Sequence, residues 1–288
     1  MKQNLIAVRN TCRVCGFGPL IPILSLGELY MSDFIDNKSQ QDESSKIPLK
    51  LVLCNKKDSG CGLLQLEHTA SHEAMYRNYW YRSGVNKTMT DELNEIAKTV
   101  ESLIDLKSGD YLIDIGANDG TLLRSYSIKG TRTIGFEPAI NLMKWARESA
   151  TCIINDFFSY QAWQKEFGGS KAIAITAIAM FYDLEDPNKF VSDVVKCLDQ
   201  EGVFIIQMSY LPSMLSQNAF DNICHEHLEY YSLLSLENLL KRHNLEIFDV
   251  KLNNINGGSF RTYIRHKGGG KTVKISAGSE KRMKDLRK

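Results

Sequence analysis

The sequence predicts an α/β protein, an open and mainly parallel sheet preceded by a small cysteine-rich module. Three observations carry this expectation. Short apolar runs alternate with helix-length segments from Tyr111 onward; a glycine turn follows the first of those runs; and four of the seven cysteines, Cys12, Cys15, Cys54 and Cys61, fall near the N-terminus. A chain of 288 residues has room for one ordinary α/β domain and one small module.

The runs Tyr111–Ile115, Arg132–Phe136, Cys152–Ile154, Ala172–Ala177 and Gly202–Met208 read as strands. Ala139–Ser149 and Pro187–Leu198 between them have the length and periodicity of helices, and such alternation implies right-handed parallel βαβ units. Leu245–Leu252 and Phe260–Arg265, joined by a turn containing Gly257-Gly258, read as an antiparallel hairpin that completes a seven-stranded sheet. Upstream, Leu93, Ile96, Ala97, Val100, Leu103 and Ile104 recur at helical spacing within Asp91–Ile104. The polar stretch Asp36–Lys46 reads as a surface loop. The basic tail Lys267–Lys288, with three consecutive glycines, reads as a flexible linker running into a helix start. The chain thus divides into a metal-binding module (residues 1–72), an α/β domain (73–267) and a linker tail (268–288).

With 43% hydrophobic and 24% charged residues, the chain can bury a real core. A net charge of +1 makes no electrostatic case for nucleic acid. The apolar run Ala172–Tyr182, interrupted by Thr176, is far short of the roughly 20 residues that span a bilayer. Met1–Asn10 has no apolar signal core, so the expected compartment is the cytoplasm, where thiols stay reduced. The expected partner is a small molecule, and oligomeric state is not legible.

The sharpest local signal is Leu112-Ile-Asp-Ile-Gly116-Ala-Asn118-Asp119-Gly120. Gly116 permits a tight turn and Gly120 a close approach at a helix start. With two glycines four apart, this is not the dinucleotide fingerprint, and Asp119 beside the turn suits a cationic group such as a sulfonium better than a pyrophosphate. Glu137-Pro138 ends the second strand with a carboxylate that can accept ribose hydroxyls. After the third strand, Asp156 could bond an adenine amino group and Phe157 pack on its ring. All lie at carboxyl ends of strands, where open α/β sheets bind ligands.

Cys12-Arg-Val-Cys15-Gly has the form of a knuckle in which two thiolates grip one tetrahedral ion, and Cys54 and Cys61 would complete a structural zinc site. Six residues separate the second pair, wider than the roughly two to four common in such sites. Four thiolates leave zinc no open position for catalysis.

The glycine-turn residues resemble the first motif of the class I methyltransferase family, with Asp114 as the matching acid inside the strand. That resemblance covers roughly residues 75–266 and implies a Rossmann-like sheet and S-adenosylmethionine as cofactor; the spacing itself indicates only a nucleoside-type ligand. More narrowly, Cys12–Gly16, Cys61-Gly-Leu-Leu-Gln-Leu66, Tyr79-Trp-Tyr-Arg-Ser83, Cys224-His-Glu-His227 with Tyr230-Tyr231-Ser232, and Gly257-Gly-Ser-Phe-Arg261 are similar to the sugar C-methyltransferase family. The resemblance implies a nucleotide-linked keto-deoxysugar as acceptor, His227 as general base and Glu226 as its neighbour. His225, by proximity, is a candidate for orienting the base. Tyr81, Tyr79 or Tyr182 could donate to an enolate oxygen, and Arg261 could meet a phosphate.

The chemistry agrees with that implication. Carbon methylation requires removal of a proton beside a ketone, and histidine suits the transfer near neutral pH. Three departures stand out. Cys224 occupies a place where the family tends to carry tyrosine; Phe181-Tyr182-Asp183 follows the fourth strand where histidine is typical; and the chain stops before the further Rossmann-like domain that members carry. Methylation of a hydroxyl oxygen and a non-catalytic cofactor-binding module are the alternatives.

Overall fold

The computed structural model describes residues 6–31 and 46–287; of the polar loop expected over Asp36–Lys46, all but Lys46 lies outside these. Strands β1 (Ile6–Val8) and β5 (His68–Ala70) pair antiparallel, while β2 (Ile21–Tyr30), β3 (Lys46–Leu53) and β4 (Leu64–Leu66) form an antiparallel sheet. The fourth strand of that sheet comes from far along the chain: β11 (Glu229–Tyr230) pairs with β4.

Helix α1 (His72–Tyr76) leads to α2 (Lys87–Leu103), which starts earlier than the apolar periodicity suggests because Asn86 accepts a hydrogen bond from the Met89 N–H and caps it. The main sheet holds β6 (Tyr111–Ile115), β7 (Arg132–Phe136), β8 (Cys152–Ile154), β9 (Ala172–Ile178), β10 (Leu198–Ser209), β12 (Leu245–Asn253) and β13 (Ser259–His266). Its order is β12-β13-β10-β9-β6-β7-β8, with the β13 pairings antiparallel and the rest parallel. All seven expected strands are present, and β10 begins earlier, with a register irregularity between Leu198 and Val203. Both faces of the central strands are buried. On β10, Phe204 and Ile206 enter one core cluster, Val203 and Ile205 the other. This explains why these strands read as continuous apolar runs.

Helices α3 (Met143–Ala146), α4 (Tyr160–Phe167), α5 (Pro187–Cys197), α6 (Leu211–Gln217) and α7 (Leu233–Lys241) lie between the strands. Two helix expectations are corrected. After Gly120 there is only a 3-10 turn, Leu123–Ser125, because few residues separate Gly120 from the left-handed turn at Gly130. Ala139–Ser149 holds one α-helical turn flanked by 3-10 geometry, with Glu148 and Ser149 bonding back three residues to Trp145 and Ala146.

The tail is anchored to the domain rather than free. Helix α8 (Ser279–Leu286) packs along β12, Met283 is buried, Arg282 pairs with the buried Asp249 at 2.7 Å, and the Lys274 N–H donates to the Leu103 carbonyl. Among the described residues no helix is long and apolar enough to cross a membrane.

Candidate active site and metal centre

A cavity of about 930 Å³ opens at the carboxyl ends of β6, β7, β9 and β10. Such a volume lies within the range of roughly 300–1,000 Å³ usual for small-molecule and cofactor sites.

One half of its wall comes from the glycine turn. Gly116 adopts φ 71° and lines the cavity, where a Cβ would stand 3.2 Å from Met180 Cγ. Asn118, also left-handed at φ 54°, fixes the turn: its N–H donates to Glu137 Oε2 at 2.7 Å, and its side chain bonds the Ser83 N–H and the Tyr81 carbonyl. Glu137 is buried and takes a second N–H from Ala139 at 2.8 Å; burial raises its pKa while these donors lower it. Asp114, within β6, accepts from Thr176 at 2.7 Å, and burial pushes its carboxyl up to about 7. Pro138 and Phe157 complete this half, with the Arg77 guanidinium 4.8 Å from the Phe157 ring centre.

Three cofactor expectations change. Asp119 does not line the cavity. Its carboxylate accepts from the Gly84 N–H and from Thr121, with Arg82 and Arg124 nearby, so it braces the loop rather than meeting a ligand cation. Gly120 also stands outside the cavity and lets the loop press on Ser149, which a Cβ would approach to 2.4 Å. Asp156 does not line the cavity either, its exposed carboxylate being paired with Arg77 at 2.9 Å.

The opposite half collects the acid–base candidates. His227 Nδ1 lies 2.8 Å from the Asn222 carbonyl. A carbonyl only accepts, so Nδ1 carries the proton and Nε2 keeps its lone pair. Burial lowers the His227 pKa, which favours that neutral form. Tyr182 packs edge-on against the ring at 4.4 Å, and Tyr79 donates to Glu226 Oε2 at 3.1 Å. Tyr79, Tyr81, Tyr182, Glu226 and His227 all line the cavity.

His225 does not. It is buried against the N-terminal module, with Nε2 3.0 Å from the Ile47 carbonyl, because Cys224–Glu226 bends where an extended run would have put both histidines on one face. Arg261 is neither solvated nor free for phosphate: it is buried and paired with Glu92 at 2.7 Å and with Glu95. Asp183, named above only as a departure from the family pattern, lines the cavity beside Glu226, as does Tyr76. Its position after a central strand was the available signal.

The four N-terminal cysteines converge. Their sulfurs lie within 4.8 Å of one another, with Cys12 to Cys61 at 3.5 Å and Cys15 to Cys54 at 3.4 Å. Thiolates about 2.3 Å from a shared tetrahedral ion stand about 3.8 Å apart, so the set fits zinc. The wide second spacing works because Asn55–Gly60 folds back on itself. Asn55 caps the 3-10 turn Lys56–Asp58, Ser59 is left-handed, and the Gly60 N–H returns to the Asn55 carbonyl at 2.9 Å. Between the first two cysteines, Arg13 is buried and bonds the Leu66 carbonyl and Thr69 at 2.6 Å each, reaching Glu185 on the cavity wall at 3.4 Å.

A sheet of this strand order, antiparallel only at its seventh strand and loaded at the β6 and β7 ends with a glycine turn and carboxylates, defines the class I methyltransferase fold. Residues 81–250, more than half the chain, match the family described as "Methyltransferase domain", and residues 12–76 match the one described as "Putative zinc binding domain". The chain belongs to the methyltransferase domain family. Over 260 residues it is 26% identical to C-methyltransferase NovU of Streptomyces niveus, an alignment covering 89% of this chain and 61% of that protein. The chain therefore spans less than two thirds of that relative's length. Among solved structures, a chain of the complex between the Haloferax volcanii Trm112 methyltransferase activator and a methyltransferase superposes with a TM-score of 0.50 at 14% identity. That superposition covers 64% of this chain and 94% of that one, a likeness of fold alone.

Proposed function

We propose that the chain is an S-adenosylmethionine-dependent methyltransferase acting on carbon beside a ketone, with a nucleotide-linked keto-deoxysugar as acceptor. One observation carries the reading: His227, whose Nδ1 proton goes to the Asn222 carbonyl and leaves Nε2 unprotonated, lines the same cavity as the Gly116 turn. Gly116, Glu137 and Phe157 line the cavity; on this reading Gly116 leaves space for an adenosyl ligand, Glu137 would take ribose hydroxyls and Phe157 the adenine face. The bound cofactor supplies a methyl group on an electrophilic sulfonium.

His227 takes the acidic proton, Glu226 and Tyr79 hold the acceptor's polar groups, and the apolar wall of Tyr182 and Phe158 limits water. The name of the curated relative supports carbon over oxygen as the methylated atom. Residues 73–267 would be the catalytic domain and 1–72 its zinc module, working in a reducing cytoplasm. The described cysteines are all free, in keeping with that compartment.

The test uses S-adenosylmethionine and a thymidine-diphosphate keto-deoxyhexose carrying deuterium at the carbon beside the ketone. Methylation of that carbon gives a product that has gained a methyl and lost the label. A methylated product that retains it moves the reaction to oxygen.

A further inference from the structure

We infer that Asp183 is a further catalytic residue, a carboxylic acid that donates a hydrogen bond to the acceptor's carbonyl oxygen while His227 removes the neighbouring proton. This rests on the reading above and adds the group that holds the oxygen.

The placement of Asp183 is fixed by backbone rather than by its own side chain. It closes a 3-10 turn, Phe181–Asp183, directly after β9, with its N–H on the Met180 carbonyl at 3.2 Å and the Ala179 N–H on the Gln207 carbonyl at 2.8 Å. The side chain lines the cavity along with Glu226 and His227. Its Oδ1 is sealed from solvent, with no hydrogen bond of ordinary geometry among the described residues and the Tyr76 hydroxyl as the neighbour that favours its charged form. A sealed atom is out of a ligand's reach, so contact with the acceptor falls to the part of the carboxyl group that lines the cavity.

The surroundings select the protonation state. The charges bearing on Asp183 are the carboxylates Glu226 and Glu229, with the Tyr76 hydroxyl beside it. From the other packed elements, His72 faces it from α1, Tyr79 from the segment that follows, and Tyr182 and Cys224 from the cavity wall. None of these is a lysine or arginine. Burial first, and then the Glu226 charge, raise the carboxyl pKa against the opposing Tyr76 hydrogen bond, a shift toward the protonated, donating form. A carboxylic acid kept neutral in an apolar site can donate in this way to a developing oxyanion.

The electron count closes. His227 takes the proton; the C–H pair becomes a carbon–carbon double bond, and the carbonyl π pair moves onto the oxygen held by Asp183. As the carbonyl re-forms, the carbon attacks the methyl, a carbon–carbon bond forms and the methyl–sulfur pair returns to sulfur. Asp183 keeps its proton throughout.

The test compares Asp183→Asn, which keeps a neutral donor, with Asp183→Ala, which has none. Infrared difference spectra of the full chain at neutral pH should show a protonated-carboxyl band in the wild type that both variants lack and that shifts in heavy water. With the thymidine-diphosphate keto-deoxyhexose, Asp183→Ala should lower kcat by about 100- to 1,000-fold at little change in KM, and Asp183→Asn by about tenfold or less. Calorimetric affinity for S-adenosylmethionine should be the same in all three and certifies that the variants are folded. No band assignable to Asp183, or an Asn variant as impaired as the Ala variant, overturns the inference. The infrared band reports on Asp183 whichever acceptor is turned over, so failure of the acceptor assignment is separable from failure of this one.

Discussion

Gly116 and Gly120 occupy the same turn, share a left-handed backbone (φ 71° and 75°), and are expected to fail in different ways. Alanine in that conformation costs roughly 1–2 kcal/mol at either position. At Gly116 the added Cβ meets only Met180, at 3.2 Å from Cγ, and a methionine side chain can move aside. At Gly120 it meets Ser149 Cβ at 2.4 Å and the Ala146 carbonyl oxygen at 3.4 Å, so backbone must shift, adding roughly 1–3 kcal/mol of overpacking. Gly116→Ala should therefore lower Tm by about 2–8 °C and Gly120→Ala by about 4–20 °C, at about 2–4 °C per kcal/mol. Cofactor affinity should order the other way once folded protein is compared. Gly116 lines the cavity and Gly120 does not, so calorimetry at low temperature should show the greater loss for Gly116→Ala, at least about tenfold. Scanning fluorimetry supplies Tm. Equal Tm losses, or an unchanged affinity in Gly116→Ala, would refute the assignment of the turn.

Metal analysis should find about one zinc per chain, and Cys54→Ser should abolish it along with most of the native fold of the first 70 residues, as read by proteolysis. His227→Ala should reduce turnover by about 100- to 10,000-fold with cofactor affinity intact. In the wild type, the lowered His227 pKa keeps the base neutral, so the acid limb of kcat/KM should fall below the ordinary histidine value of 6.5; an acid limb above it contradicts the buried geometry. Asp114 is raised from 3.8 to about 7, so its contribution to stability is present below pH 3.8 and is lost as pH rises through about 7. Asp114→Asn should therefore gain in Tm relative to wild type between pH 4 and 8, and parallel pH curves would show that the carboxyl is ordinary.

The strands were legible because central strands buried on both faces leave apolar runs that few other structures produce. The short helices were not, since Ala139–Ser149 carries a helical period that a mixture of 3-10 and α turns satisfies equally well. In the site, the sequence carries residue types but not the directions in which side chains point. Asp119 looked like a ligand group, yet the Gly84 N–H and Thr121 claim its carboxylate. The two histidines of His225-Glu-His227 differ by which module's carbonyl each one meets, Ile47 or Asn222, and both carbonyls are remote from any local pattern. Arg261 and Asp183 were hidden for the same reason: the carboxylates that face them, Glu92 and Glu95 for the one and Glu226 for the other, reach them only through the fold.

The strand Glu229–Tyr230 begins two residues after His227 and is stitched onto Leu64–Gln65, with the Leu66 N–H also on the Leu228 carbonyl at 2.9 Å. The proposed base is thereby hung from the cysteine-bearing end of the molecule. Chimaeras that exchange N-terminal modules between relatives at residue 72 would part this seam, and a working hybrid must carry residues 224–230 across with the cysteines.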